Sequence, residues 1–499
     1  MNYDVDIFNI YMFKVGFKFR GMENMKNIRK YLIAVSVLLL AFIVSSCTKE
    51  INSIDYSGES QISINDLKDF KKPFQISKDN IEEYIDEDQT SEKIITLLGK
   101  VKFEGENKPY KELSVEEVKE DLAKYFSYLK GSYAGYLANG GDDRFLKAKQ
   151  NIIDNISDGM KASEFKNLLE EELSFVDDAH FIIGYLKKKV EDRDWYSVEN
   201  FQLFKDKKGL YSILDDSYIE NGHKLNDFLK PSITSEGKAC YILVGYGKEI
   251  EEAPKSIKLS NGEQKNIVFK RIKNSDDNGE ELVYRDIDGI KYLKFPSVYF
   301  PVEEKETKVV LKAAKEMKES PVSILDLRGN PGGNGILADQ WVETYSGEKT
   351  LHSYNGIYIL SEKVFKNDRN GQKWNDYIEA SGAEIYDDSH VVIKASDKII
   401  NNDNLLIVLT DNRMASASEM MVDGLHHLKN TVFIGMPTSG CLNSSLMFNA
   451  YLDNSNIPFG YGNSWNVFHP DYFQEFKGFQ PDIWIEELDV EELVKVLLY

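Results

Sequence analysis

Three short runs, Val322-Ser-Ile-Leu-Asp-Leu, Leu405-Leu-Ile-Val-Leu and Thr431-Val-Phe-Ile-Gly, constrain the fold of this chain more than any other feature. They are continuous and apolar rather than alternating, as in strands covered on both faces, and they alternate with segments of helical periodicity. From about residue 290 onward that order predicts an α/β core built on a parallel sheet.

Upstream the texture differs. Val115-Glu-Glu-Val-Lys-Glu-Asp-Leu-Ala-Lys-Tyr-Phe and Phe165-Lys-Asn-Leu-Leu-Glu-Glu-Glu-Leu place apolar residues at helical spacing, which predicts a helical bundle over 111–189. Residues 190–290 hold short β-like runs such as Ala239-Cys-Tyr-Ile-Leu-Val between Gly, Asn and Asp turns, so a β-rich insert is expected before the core at 291–499.

The amino end reads as an address. Met25-Lys-Asn-Ile-Arg-Lys begins a basic start, residues 31–44 are apolar, and Val-Ser-Ser-Cys47 follows, the build of a signal peptide ending in a lipobox, with Met25 as the working start. The run is shorter than the ~20 residues a spanning helix needs, so Cys47 is expected to carry lipid and anchor the chain to a membrane. Residues 48–110 are polar and acidic and read as a tether. Thr48, next to the lipidated cysteine, points to the outer membrane of a bacterial cell envelope.

The net charge is −21, and the first 47 residues hold six basic against three acidic residues, leaving −24 beyond them. So acidic a chain is expected to bind no nucleic acid. Three cysteines, Cys47, Cys240 and Cys441, exclude a disulfide scaffold and a cysteine-rich zinc site. His426, His427 and His469 lack metal-ligand spacing and are read as structural or solvent-facing, so neither metal nor cofactor is expected.

The chemistry concentrates in Asn404-Leu-Leu-Ile-Val-Leu-Thr-Asp-Asn-Arg-Met-Ala-Ser416-Ala-Ser-Glu, a strand, a polar turn and the start of a helix. Ala417, Met421, Gly424, Leu425 and Leu428 share one helical face, so the helix packs by that face and leaves its amino end, with unpaired N–H groups, beside Ser416. Alone, this pattern suits an ordinary serine N-cap as well as a nucleophile, and Ser418 would cap equally well. Gly333-Asn-Gly335-Ile-Leu-Ala338 matches a dinucleotide fingerprint, but six residues separate it from the strand where a tight turn is required.

Four blocks weigh together: Ile324-Leu-Asp-Leu-Arg-Gly-Asn-Pro-Gly-Gly333, Ala415-Ser-Ala-Ser-Glu419, Ile434-Gly-Met-Pro-Thr-Ser-Gly440 and Gly478-Phe-Gln-Pro-Asp-Ile483. In this order, over roughly 290–490, they resemble the C-terminal processing (tail-specific) peptidases. The resemblance implies a ClpP/crotonase-like α/β core, a serine nucleophile at Ser416, and an oxyanion hole from the amides of Gly332 or Gly333 and Ala417. One branch of the family places a general-base lysine about 25 residues after the serine; here that position is Cys441, and Lys429 lies beyond an intervening strand. The sequence resembles more closely the tricorn-core branch, whose base is a histidine after the bundle and whose glutamate precedes the Gly-x-x-Pro-Asp block. Those positions map to His180, in Ser174-Phe-Val-Asp-Asp-Ala-His180, and to Glu475. The branch's serine beside the histidine is Ala179 here.

The expected function is a lipid-anchored serine endopeptidase acting on peptides or unfolded proteins through an acyl-enzyme on Ser416. The alternative is an inactive peptide-binding lipoprotein on the same fold. Residues 190–290 stand where relatives carry a PDZ domain, but they contain no Gly-Leu-Gly-like carboxylate loop. Cys441 is expected either to line the site or to be a small buried apolar side chain.

Overall fold

The computed structural model describes residues 54–98, 112–184, 194–207, 209–212, 217–220, 222–272, 281–298, 305–360, 378, 382–486 and 489–498. The leader and Cys47 lie outside these residues.

The core is a six-stranded sheet in the order Val283–Ile287, Ile290–Lys294, Val322–Asp326, Leu405–Thr410, Thr431–Gly435 and Ile483–Trp484. The first two strands form an antiparallel hairpin, and every later pairing is parallel. The sheet thus begins a few residues before the boundary expected at 291.

Both faces are covered, which is why its strands read as unbroken apolar runs. Leu406 and Val408 face the cluster under helices Lys305–Lys318, Gly335–Ser346 and Ala417–His426, while Ile407 and Leu409 face the opposite cluster.

That opposite face corrects the tether expected over 48–110. Ile62, Leu67 and Phe70 are buried against Ile407, Leu409, Val432 and Ile434. Lys71 Nζ reaches the carbonyl oxygens of His426 and Leu428, and the Lys72 amide donates to Asp482 Oδ1 at 2.8 Å. Within residues 54–98, then, the segment is laid along the core, because a few apolar side chains spaced among polar ones suffice to seat it.

The bundle consists of helices Val115–Ser132, Gly141–Asp154 and Ala162–Glu172, the first opened by a Ser114/Glu117 capping box. Its aromatic core packs on Phe448, Phe459 and Tyr461 of a second, antiparallel sheet. After the bundle, Ile182–Ile183 joins that sheet by pairing with Phe459 and Gly460. This pairing delivers the preceding His180 to the core.

The β-rich region forms a five-stranded and a three-stranded sheet, and its helical turns among the described residues are short 3-10 pieces. It docks through Trp195, whose ring packs on Trp484 with centroids 5.0 Å apart and whose Nε1 donates to the Lys477 carbonyl oxygen at 3.2 Å. Tyr246 donates its hydroxyl proton to the Phe476 carbonyl oxygen at 3.0 Å.

Candidate active site

Ser416 sits between strand Leu405–Thr410 and helix Ala417–His426 with φ 58° and ψ −121°. A positive φ is strained for a residue with a side chain and costs on the order of 1–3 kcal/mol, so the surroundings must hold it. They do so through the backbone. The Ser416 amide donates to the Cys441 carbonyl oxygen and to Glu419 Oε2, each at 3.1 Å. Glu419, fully buried, also accepts from the amides of Gly440 at 2.8 Å and Cys441 at 2.7 Å. Burial raises the pKa of that carboxyl, against the lowering effect of these bonds.

The Gly-Gly turn is stitched to the serine turn by Asn330. Its carbonyl oxygen accepts from the Ala415 amide at 3.2 Å and from Ser418 Oγ at 2.8 Å, and its side chain receives the Gly332 amide at 2.9 Å. Gly332 has φ 95°, and a Cβ there would lie 2.5 Å from the Ala415 carbonyl oxygen and 2.9 Å from the Ala417 nitrogen. Only glycine permits this approach. Of the three amides expected in an oxyanion hole, Gly332 is therefore committed to Asn330, whereas those of Gly333 and Ala417 meet no acceptor among the described residues. Gly333 is exposed and Ala417 begins the helix, so a developing oxyanion would meet two amides and the positive end of the helix dipole.

His180 comes from 236 positions away and places Nε2 at 3.3 Å from Ser416 Oγ. Its main chain is fixed by Asp178, which accepts from the His180 amide at 2.7 Å, from Ser444 Oγ at 2.7 Å and from the Tyr133 hydroxyl at 3.0 Å. Cys441 Sγ lies 3.5 Å from Nδ1 of the imidazole and 3.7 Å from Nε2.

Glu475 is at the site, bonded to the main chain on both sides of it. Oε1 accepts from the Ala179 amide at 2.8 Å, and Oε2 accepts from the amides of Leu442 at 3.1 Å and Asn443 at 2.9 Å. It thus grips the backbone beside His180 and beside Cys441. The position that is serine in the tricorn-core branch reaches the carboxylate through its amide, so Ala179 suffices. Burial, with the nearby charge of Asp178, raises the Glu475 carboxyl well above the usual carboxylate range.

The competing groups fall away on geometry. Lys429 is exposed beyond the carboxyl end of helix Ala417–His426, which spans about 15 Å at 1.5 Å per residue. His426 stacks on Phe433 and bonds the Val422 carbonyl oxygen, and burial pushes its pKa down to about 3. His427 is likewise buried against the Lys398 carbonyl oxygen, while His469 is only partly covered. Among the described residues no group of His, Cys, Asp and Glu is arranged to hold a metal ion.

Sequence reasoning passed over Asn330, Asp178 and the bracing role of Glu419. Only Glu419 left a signal, as the N3 carboxylate of a capping box begun by Ser416.

Residues 289–485 match the model of peptidase family S41. That match gives the region its class, a serine-type peptidase of the S41 fold, and it spans the main sheet from strand Ile290–Lys294 to Ile483–Trp484 with the loops that carry Ser416, Cys441 and Glu475. Solved structures similar to the chain include mature CPAF, 12% identical over 74% of this chain and 92% of that one, with a TM-score of 0.38. The photosystem II D1 C-terminal processing protease is 13% identical over 77% and 98% of the two chains, with a TM-score of 0.36. A lipoprotein from Streptococcus agalactiae is 13% identical over 79% and 99%, with a TM-score of 0.34. No curated protein sequence matches the chain. His180 lies outside the S41 match, in the segment between the last bundle helix and strand Ile182–Ile183.

Proposed function

We propose that this chain is a lipid-anchored serine endopeptidase of the Ser/His type, with Ser416 as nucleophile and His180 as general base. The observation that carries the reading is the 3.3 Å approach of His180 Nε2 to Ser416 Oγ, between residues that only the complete fold brings together. Catalytic hydrogen bonds are often long before substrate binds, and this one is within reach.

In the reaction, Nε2 takes the Oγ proton as Oγ attacks the scissile carbonyl, and the tetrahedral oxyanion is met by the amides of Gly333 and Ala417. His180 returns the proton to the leaving amine, leaving an acyl ester on Ser416. Water, deprotonated by the same imidazole, then hydrolyses the ester. Glu475 and Asp178 position the base by its backbone. Cys441 at the position of the family's lysine, and the remoteness of Lys429, support the histidine branch over a Ser-Lys dyad.

The substrate class is peptide or unfolded protein. Anchoring in the cell envelope, at the outer membrane, rests on Val-Ser-Ser-Cys47 and Thr48; no helix among the described residues is long and apolar enough to cross a membrane.

Intact-mass analysis of the detergent-solubilised chain after fluorophosphonate treatment tests the chemistry. One adduct on the wild type, absent from Ser416→Ala and at least roughly a thousandfold slower in His180→Ala, is expected. A folded wild type that never labels rejects the reading in favour of a peptide-binding protein. For the anchor, metabolic labelling with a fatty acid should mark the wild type and spare Cys47→Ala.

A further inference from the structure

The turn that carries Glu475 is strained. Phe476 has φ 65°, a left-handed backbone that a bulky aromatic residue seldom takes. Its amide donates to the Gly440 carbonyl oxygen at 2.7 Å. Two residues on, a Cβ at Gly478 would collide with the Thr438 carbonyl oxygen, so the chain there has no room to move. The other side of the turn is held by the β-rich region. Trp195 and Tyr246 stand opposite each other on strands Trp195–Asp206 and Ala239–Tyr246, with ring centroids 4.9 Å apart. Their polar tips donate to successive carbonyl oxygens, Nε1 of Trp195 to Lys477 at 3.2 Å and the hydroxyl of Tyr246 to Phe476 at 3.0 Å. The Lys477 ammonium lies over both rings and 3.1 Å from a Glu249 carboxylate oxygen.

We propose that Tyr246 is a positioning residue for Glu475, its hydroxyl fastening the Phe476 carbonyl so that the strained turn stays closed. The inference rests on the serine-peptidase reading of the same site. Glu475 leaves the chain one residue before the reversal and is buried, with Oε1 on the Ala179 amide beside His180 and Oε2 on the amides of Leu442 and Asn443. Relaxing Phe476 to a negative φ turns the chain about its N–Cα bond. Because Gly478 is wedged, the part that must swing is the amino-terminal one, and the carboxylate goes with it. A strained backbone persists only where its surroundings over-determine it, and the bond from Tyr246 opposes this rotation. The β-rich region thereby acts on the base through two links to the main chain, Tyr246 to Phe476 and Glu475 to Ala179.

The test compares fluorophosphonate labelling of the full chain in wild type, Tyr246→Phe, Phe476→Gly and the double variant, with thermal melting of each. Tyr246→Phe keeps the ring and loses the bond, so labelling should slow roughly tenfold while the chain stays folded. Glycine takes a positive φ without strain, so in the Phe476→Gly background the same change should cost less than about twofold. Weakened docking of the β-rich region alone predicts one factor in both backgrounds. A Tyr246→Phe rate equal to wild type, an undiminished loss in the Phe476→Gly background, or a Tyr246→Phe chain that fails to fold overturns the proposal. Hydrogen exchange reads the same turn without the chemistry and without the glycine variant. The amides of Ala179, Leu442 and Asn443, the donors to Glu475, should exchange at least roughly tenfold faster in Tyr246→Phe than in wild type. A folded wild type that never labels rejects the peptidase reading, and exchange still decides the role of Tyr246: unchanged exchange at these amides overturns it.

Discussion

The serine and the histidine reach the site by different routes. Ser416 is held by its own neighbourhood within the parallel-sheet core: Glu419 three residues on, Cys441 in the next crossover and Asn330 in the preceding one. His180 is held from afar. Besides Asp178, its supports include Ser444, Glu475 and a two-residue strand paired to Phe459 and Gly460. Local turn chemistry places the Ser416 hydroxyl, whereas the His180 imidazole depends on the docking of the bundle. Damage to the serine side should therefore appear as local strain, and damage to the histidine side as lost coupling between parts that remain folded.

The sharpest way to break this contrast is Gly332→Ala. The new Cβ meets the Ala415 carbonyl oxygen at a φ that disfavours any side chain, so labelling should be abolished and stability should fall by roughly 2–4 kcal/mol in denaturant melts. A variant that labels normally would mean that the two turns are not rigidly joined.

Glu475→Gln probes the other side. The amide retains one acceptor oxygen where three backbone N–H groups now converge, so labelling should slow by about a hundredfold. The melting transition should fall by no more than about 3 kcal/mol. Asp178→Asn should act in the same direction with a smaller rate loss, because the Ser444 and Tyr133 hydroxyls can reorient toward the remaining oxygen. If either variant unfolds the chain outright, the base side is a scaffold of the whole fold rather than a docked part.

The smallest effect expected on the chemistry comes from Asp339→Asn, a control within the serine half. Asp339 is buried in helix Gly335–Ser346 with an unpartnered Oδ1, and burial pushes its pKa up to about 7. The folded state holds its proton more tightly than the unfolded one. The wild type therefore loses stability as pH rises from about 4 to about 7, and asparagine does not. The variant should gain on the order of 2 kcal/mol over wild type across that window, read by melting against pH. Its labelling rate should stay unchanged.

Legibility in the sequence followed the same divide. The strands around Ser416 announced themselves because both faces are buried, and the glycines of the 332–333 turn stood where a close backbone approach needs them. His180 and Glu475 were found only through the order of the family blocks, since neither has a local pattern that marks it. Asp178 and Asn330 were passed over because their roles consist of bonds to backbone atoms of distant segments, which leave no spacing to read. The segment around Leu67 and Phe70 read as a tether because its composition is polar, although two or three apolar residues decide where it lies. The bonds of Glu475 to the main chain were not legible for a related reason: a carboxylate that holds amides looks, in a sequence, the same as one that holds a ring.

The separation of 236 positions between the hydroxyl and the imidazole has a consequence in time. Closing so long a loop is entropically costly and comes after local structure, so the parallel sheet and the bundle can each form while the two reactive groups are still apart. Competence to cut would then arrive last, with the short strand at Ile182–Ile183, and an incompletely folded copy, itself the kind of extended chain such a site would accept, would have no means of digesting its neighbours.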